Sequence, residues 1–197
     1  MKKHLVRTLL SIAMTVSAGL SVMSLSGCAP IVAGGFGAGV LMAEDRRTSG
    51  TYLLDEEIEI KTGSRVRENF GDNTHVSVTS FNRNVLLTGQ TPDAEVRAKV
   101  EEITRGVPNV RVVQNELTLG AVTTFGERTN DAYITTKVKA RFLDDKRFNA
   151  HQVKVVTEAG TVFLMGLVKR EEAAAASEVA ARTGGVKKVV KVFEYMD

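Results

Sequence analysis

One cysteine, Cys28, stands alone in a chain of 197 residues and directly follows Leu25-Ser26-Gly27. Its thiol could be acylated. It can form no internal disulfide and no cysteine-based zinc cluster. The other residues with chemical potential are scattered. His75 and His151 lie beside expected strands, far apart and without metal-ligand spacing, and His4 sits near the start. Asp144-Asp145 and Glu171-Glu172 are adjacent pairs, and adjacent residues do not share a helix face. They read as solvated surface rather than a general acid/base pair. There is no His-Glu-x-x-His, no Gly-x-Ser-x-Gly and no plausible triad. The chain therefore reads as no enzyme, with no cofactor and no metal. One arrangement is more pointed. Tyr133, Lys137 and Arg141 (or Ala140) recur three to four residues apart beside the apolar series Ile134, Val138 and Phe142. An amphipathic ring flanked by cations suits the headgroup boundary of a membrane. The alternative is that Tyr133 packs on another domain and the two cations are merely solvated.

The context of Cys28 supports a membrane. Lys2, Lys3 and Arg7 precede a mostly apolar, uncharged run from Leu9 to Leu25. A positive start, a short apolar stretch and small residues before a cut describe a secretory signal peptide. The run is too short and too broken by Ser, Thr and Gly for a span of about 20 residues. A cysteine placed at the cut resembles the lipobox of bacterial lipoproteins. That resemblance implies cleavage before Cys28 and lipid on Cys28. Several acyl chains anchor stably where one binds marginally. Ala29 stands where an Asp, in that family, retains the protein at the inner membrane, which implies an outer-membrane destination and a periplasmic face.

Removing Lys2, Lys3 and Arg7 from 26 basic residues leaves 23, against 23 acidic ones. The mature chain is close to neutral, so a global argument for nucleic acid fails. The charge is uneven, however. Residues 55–119 carry 8 basic and 11 acidic side chains, and residues 130–196 carry 12 and 8. An anionic surface would attract the second half and repel the first.

Residues 28–54 read as a lipidated flexible tether, with Gly34-Gly35-Phe36-Gly37-Ala38-Gly39 near the bilayer and a polar loop from Glu44 to Thr51. From residue 55 the sequence repeats with a period near 77. Asp55-Glu56-Glu57-Ile58 aligns with Asp131-Ala132-Tyr133-Ile134, and Lys61 and Arg65 with Lys137 and Arg141. Val85-Leu86-Leu87-Thr88-Gly89 aligns with Val162-Phe163-Leu164-Met165-Gly166. In the second copy the periodicity predicts a helix over 131–144, capped by Asn130 or Asp131. A hairpin of strands 152–157 and 161–167 follows across Glu158-Ala159-Gly160. An Ala-rich helix over 169–182 ends at Gly184-Gly185, and a last strand occupies 187–194. The domains expected are 55–120 and 130–197, with 121–129 as linker.

The initial Asp-x-x-Ile helix, the Val-x-Leu-x-Gly strand and the Gly-Val-x-x-Val segments at 106–110 and 185–189 resemble the BON domain, named for bacterial osmotic-shock and nodulation proteins. Two copies behind a lipobox are similar to the dual BON-domain outer-membrane lipoproteins over nearly the whole mature chain. The implied fold class is α+β: two tandem BON domains, each α-β-β-α-β, with a three-stranded mixed sheet packed against two helices. The resemblance further implies that the first helix of the second domain binds anionic phospholipid (phosphatidylglycerol, cardiolipin) around Tyr133, Ile134, Lys137, Val138 and Arg141. It implies a role in outer-membrane integrity, with enrichment at division sites. Where that family has an aromatic residue, typically Trp, this chain has Tyr133. The alternative function is a protein-binding adaptor for an envelope machine such as the outer-membrane protein assembly machinery.

Overall fold

A computed structural model describes residues 45–71 and 74–196; the signal segment, Cys28 and the glycine-rich stretch lie outside the described residues. The first repeat runs α1 (Ser49–Phe70), β1 (His75–Phe81), β2 (Asn84–Thr91), α2 (Ala94–Arg105), β3 (Val112–Asn115) and β4 (Thr118–Leu119). The second runs α3 (Phe125–Asp144), a 3-10 turn (Ala150–Gln152), β5 (Val153–Glu158), β6 (Thr161–Val168), α4 (Arg170–Ala181) and β7 (Lys188–Tyr195). In each sheet the hairpin is antiparallel, and the last strand lies parallel to the hairpin's second strand. The expected α+β class and mixed sheets are present. The first sheet has one element more than expected: β3 and β4 follow one another along β2, interrupted where Asn115 Oδ1 accepts from Leu117 N at 3.2 Å.

Both leading helices start earlier than expected. Thr48 caps α1, so the stretch expected to be loop up to Thr51 is already helical from Ser49. Thr124 caps α3 in a capping box with Glu127, so part of the expected linker is helix. Threonine and glutamate three residues apart satisfy two orphan amides reciprocally, which fixes the start. Asp131 is therefore no cap. It is buried, and its carboxylate accepts from Ala159 N and Gly160 N, both at 2.8 Å, pinning the β5–β6 turn. Asp55 does the same for the β1–β2 turn, accepting from Asn82 N and Arg83 N.

The second strand of each hairpin, β2 and β6, buries both faces. Val85 and Leu87 enter a core with Ile58 and Val66 of α1 and Val100 of α2. Val162 and Leu164 enter the equivalent core with Ile134, Val138, Phe142 and the small Ala173, Ala176 and Ala180 of α4. The intervening residues point the other way. Leu86 and Phe81 meet Phe163 and Met165 in a third apolar cluster. The two sheets thus pack face to face, with the helices outside. A strand buried on both sides reads as a continuous apolar run, which accounts for Val162-Phe163-Leu164-Met165. Lys154 Nζ to Glu59 Oε1 (2.8 Å), Gln90 Nε2 to Glu158 Oε1 (2.7 Å) and Asn82 Nδ2 to Glu194 Oε2 (2.7 Å) close the rim.

Glycine ends the Val-x-Leu-x-Gly motif for a steric reason. A Cβ on Gly89 would stand 1.9 Å from the His75 carbonyl oxygen, at φ +118°; on Gly166 it would stand 2.5 Å from that of Gln152. Gly89→Ala should cost about 3 kcal/mol through clash and backbone strain. Urea unfolding checks this, and an unchanged midpoint would contradict it.

A short strap ahead of α1 is tied to both domains. Arg46 forms two bonds to Glu172 (2.7 and 2.8 Å) and one to Leu167 O, while Arg47 pairs with Asp45 and Asp55 and stacks 4.0 Å from the Phe81 ring centroid. Hydrogen bonds from Arg46 hold the Glu172 carboxyl below its ordinary range. A depressed carboxylate pKa contributes stability above the unfolded value and loses it as pH falls through the folded value. Arg46→Ala should therefore cost about 1–2 kcal/mol at neutral pH. The difference from wild type should shrink as pH falls through the depressed folded value of Glu172, leaving only the contribution of the bond to Leu167 O. Thermal melts at pH 7 and pH 3 test it; a difference that persists unchanged at pH 3 would contradict it.

Candidate functional site: the outward face of α3

One turn of helix takes 3.6 residues. Phe125, Thr129, Tyr133, Thr136, Ala140 and Leu143 follow that spacing along α3, and all six are exposed. None is charged. The stripe is about 27 Å long at 1.5 Å per residue. Phe125 is 79% exposed, Tyr133 62% and Leu143 58%. Arg128 and Lys139 lie along one side of it, Lys137 and Arg141 along the other.

The five residues expected to bind lipid separate into three groups. Tyr133 faces outward. The sheets meet on the faces turned away from the helices, so Tyr133 does not pack on the first domain. Ile134 and Val138 are 1% and 0% exposed, within the core against β5 and β6. This corrects the expectation that they contact lipid: on a helix they point about 100–140° away from Tyr133, so they hold the helix in place and cannot reach a headgroup. Lys137 and Arg141 sit at the flank. Lys137 Nζ lies 5.2 Å from the Tyr133 ring centroid and donates to Gly184 O at 2.6 Å. Arg141 donates to Arg182 O at 2.5 Å.

Arg182 caps the C-terminal end of α4 and Gly184 lies in the turn just beyond it, close to the negative end of the helix dipole. Part of the positive charge of Lys137 and Arg141 is therefore spent on the fold. Arg65 makes the equivalent bond to Gly106 O in the first domain, at 3.1 Å, so this anchoring belongs to the repeat and not to lipid. Each cation keeps further N–H donors for a phosphate. Sequence spacing showed Lys137 and Arg141 but missed Phe125, Arg128, Lys139 and Leu143. The signal was available in Thr124-x-x-Glu127, which starts the helix early enough to bring Phe125 onto it.

The same face of α1 differs. Glu57 occupies the place of Tyr133 and pairs with Lys61, and Glu56 is exposed beside it. Leu53 and Ile60 are exposed on that face as well. Elsewhere, one acid of each adjacent pair, Asp145 and Glu172, serves an ion pair. Asp145 pairs with Arg147, whose hydrogen bonds depress its pKa, and Arg147 reaches on to Glu178. Ser177 Oγ donates to Ala173 O within α4. Among the described residues no cluster of His, Cys, Asp or Glu could hold a metal, and no helix is long and apolar enough to cross a membrane.

The BON domain family model matches residues 55–121 and again 130–197. A Haemophilus influenzae protein, outer membrane lipoprotein DolP, is 39% identical over 175 residues, 88% of this chain and 91% of that one. The 21 kDa hemolysin of Actinobacillus pleuropneumoniae is 33% identical over 154 residues, 77% of this chain and 79% of that one. Among solved structures, the C-terminal domain of CdsD, a structural protein of the Chlamydia trachomatis type III secretion system, covers 73% of this chain and 98% of its own at 9% identity. Its TM-score of 0.30 is too slight a likeness to bear on function.

Proposed function

Because this chain belongs to the BON domain family, carrying two copies in tandem, we propose that it is an outer-membrane lipoprotein, anchored through acylated Cys28, that lays α3 on anionic phospholipid and so supports envelope integrity, including at division sites. The observation that carries this reading is the uncharged outward stripe of α3, with Tyr133 exposed between two rows of cations. An interfacial helix buries its apolar face at the headgroup boundary and draws its cations toward anionic lipid. The sign of the charge agrees. The second domain carries four more basic than acidic residues, and the first carries three fewer.

The test is co-sedimentation of residues 28–197 carrying Cys28→Ser, on phosphatidylglycerol or cardiolipin vesicles beside phosphatidylcholine ones. Binding should be confined to the anionic vesicles and should weaken several-fold from low salt to 0.5 M as screening shortens the charge attraction. Equal binding to both lipid classes, or none, overturns it. A second reading is favoured by one observation. Leu53 and Ile60 are exposed on α1 beside Glu56 and Glu57, a face suited to protein rather than anionic lipid. In that reading the chain is an adaptor for an envelope machine such as outer-membrane protein assembly. Crosslinking in cells from position 60 to one dominant protein, unaffected by Tyr133→Glu, would favour it.

A further inference from the structure

We propose that the groove beside the last two turns of α3 holds one acyl chain of an anionic phospholipid, with the phosphate of that same molecule at Lys139. This rests on the lipid-binding reading of α3 and deepens it, from adsorption to recognition of a single lipid molecule. A cavity of about 270 Å³ lies between the end of α3 and the start of β5, lined by Lys139, Phe142, Leu143, Ala150, His151 and Val153. It adjoins a second cavity of about 390 Å³ that shares Phe142, Leu143, Ala150 and His151 and extends to Lys146. Small-molecule sites typically occupy roughly 300–1,000 Å³ and combine apolar walls with a few placed polar groups. Here the walls are Phe142, Leu143, Ala150 and Val153, and the cation is Lys139.

Three features point to a phospholipid as the occupant. The groove is continuous with the proposed membrane face, because Leu143 belongs to both. Lys139 makes no hydrogen bond or ion pair among the described residues, whereas Lys137 and Arg141 are bonded to carbonyls of the α4 end. An ammonium free of internal partners is a point charge available to a phosphate. The acid on the far wall, Asp145, is engaged by Arg147 at 2.7 Å, so it opposes an anion less than a free carboxylate would. The first domain serves as an internal comparison. At the aligned positions it carries Gly63 in place of Lys139 and Arg67 in place of Leu143, so it has neither the ammonium nor the leucine wall.

The shared chemistry, phosphate, could come from a lipid or from a soluble ester, and the experiment separates them. Residues 28–197 with Cys28→Ser are titrated, by amide chemical shifts, with short-chain lyso-phosphatidylglycerol below its micelle threshold, with glycerol phosphate, and with lyso-phosphatidylcholine of the same chain length. Saturable shifts at Lys139, Leu143, Ala150 and Val153 are expected for the first ligand alone. Lys139→Gln should weaken that binding at least fivefold. Ala150→Trp, which fills the groove, should weaken it at least tenfold. His151→Trp on the same rim serves if Ala150→Trp does not fold. Equal shifts from glycerol phosphate, equal binding of the zwitterionic lipid, or indifference to groove filling overturns the inference. Vesicle sedimentation without saturable lyso-lipid binding overturns it but leaves the membrane reading standing. Failure of both removes the two together.

Discussion

Replacing Asp55 with alanine should cost about 3–5 kcal/mol, the range for breaking a buried charge network by removing one partner. Asp55 is 3% exposed. One carboxylate oxygen accepts from Ser80 Oγ at 2.6 Å and Arg83 N at 2.7 Å; the other accepts from Asn82 N at 2.8 Å and an Arg47 nitrogen at 2.9 Å. Asn82 and Arg83 both hold positive φ, 51° and 65°, a conformation costly for residues other than glycine. The carboxylate therefore stabilises a strained turn as well as a buried guanidinium. Alanine leaves two amides and Arg47 without that partner. Asp131→Ala should cost less, about 2–3 kcal/mol, because Asp131 accepts from two amides and its turn contains Gly160. Denaturant unfolding combined with amide exchange across the β1–β2 turn measures both. Equal, small losses would contradict the network account.

Tyr133→Glu should lower affinity for phosphatidylglycerol vesicles at least tenfold, or about 1.4 kcal/mol. The substitution removes an aromatic ring at the interface, places a carboxylate against an anionic surface and takes away the partner of Lys137. It also converts this position of α3 to the residue that α1 carries at Glu57. Stability should stay within about 0.5 kcal/mol, because the side chain is largely exposed. Tyr133→Trp should act in the opposite direction, since the larger ring buries more apolar area. Co-sedimentation of the variants at equal lipid concentration decides the matter. Loss of binding accompanied by a collapse in stability would mean that Tyr133 holds the fold.

Much of the fold was legible because the repeat states each element twice. The Asp-x-x-Ile spacing, the hairpin turn at Glu158-Ala159-Gly160 and the Ala-rich helix each emerge from local pattern. Asp131 was misread for a local reason. At the start of an apolar series an Asp looks like a cap, and only the tertiary fold shows it turned inward to the next hairpin. The face-to-face packing of the sheets was present in Val162-Phe163-Leu164-Met165, whose lack of alternation requires two buried faces, but nothing local identifies what covers the second. The strap was not legible. Arg46 and Glu172 are far apart in sequence and lie in different elements, and no periodicity relates them. In the candidate site, helical spacing set Tyr133 beside the apolar series of Ile134 and Val138, yet the lipid-binding expectation took all three together, and only their burial separates inward Ile134 and Val138 from outward Tyr133. Spacing could not show that Lys137 and Arg141 bind carbonyls at the end of α4, because that depends on where a second helix ends.

The most direct measurement is broadening of amide signals by a nitroxide lipid in phosphatidylglycerol bicelles, using residues 28–197 with Cys28→Ser. Broadening should centre on Phe125, Thr129, Tyr133, Thr136, Ala140 and Leu143, with α1 and α2 unaffected. Broadening centred on α1, or none on α3 while the protein remains bound, would contradict the lipid-binding reading of α3.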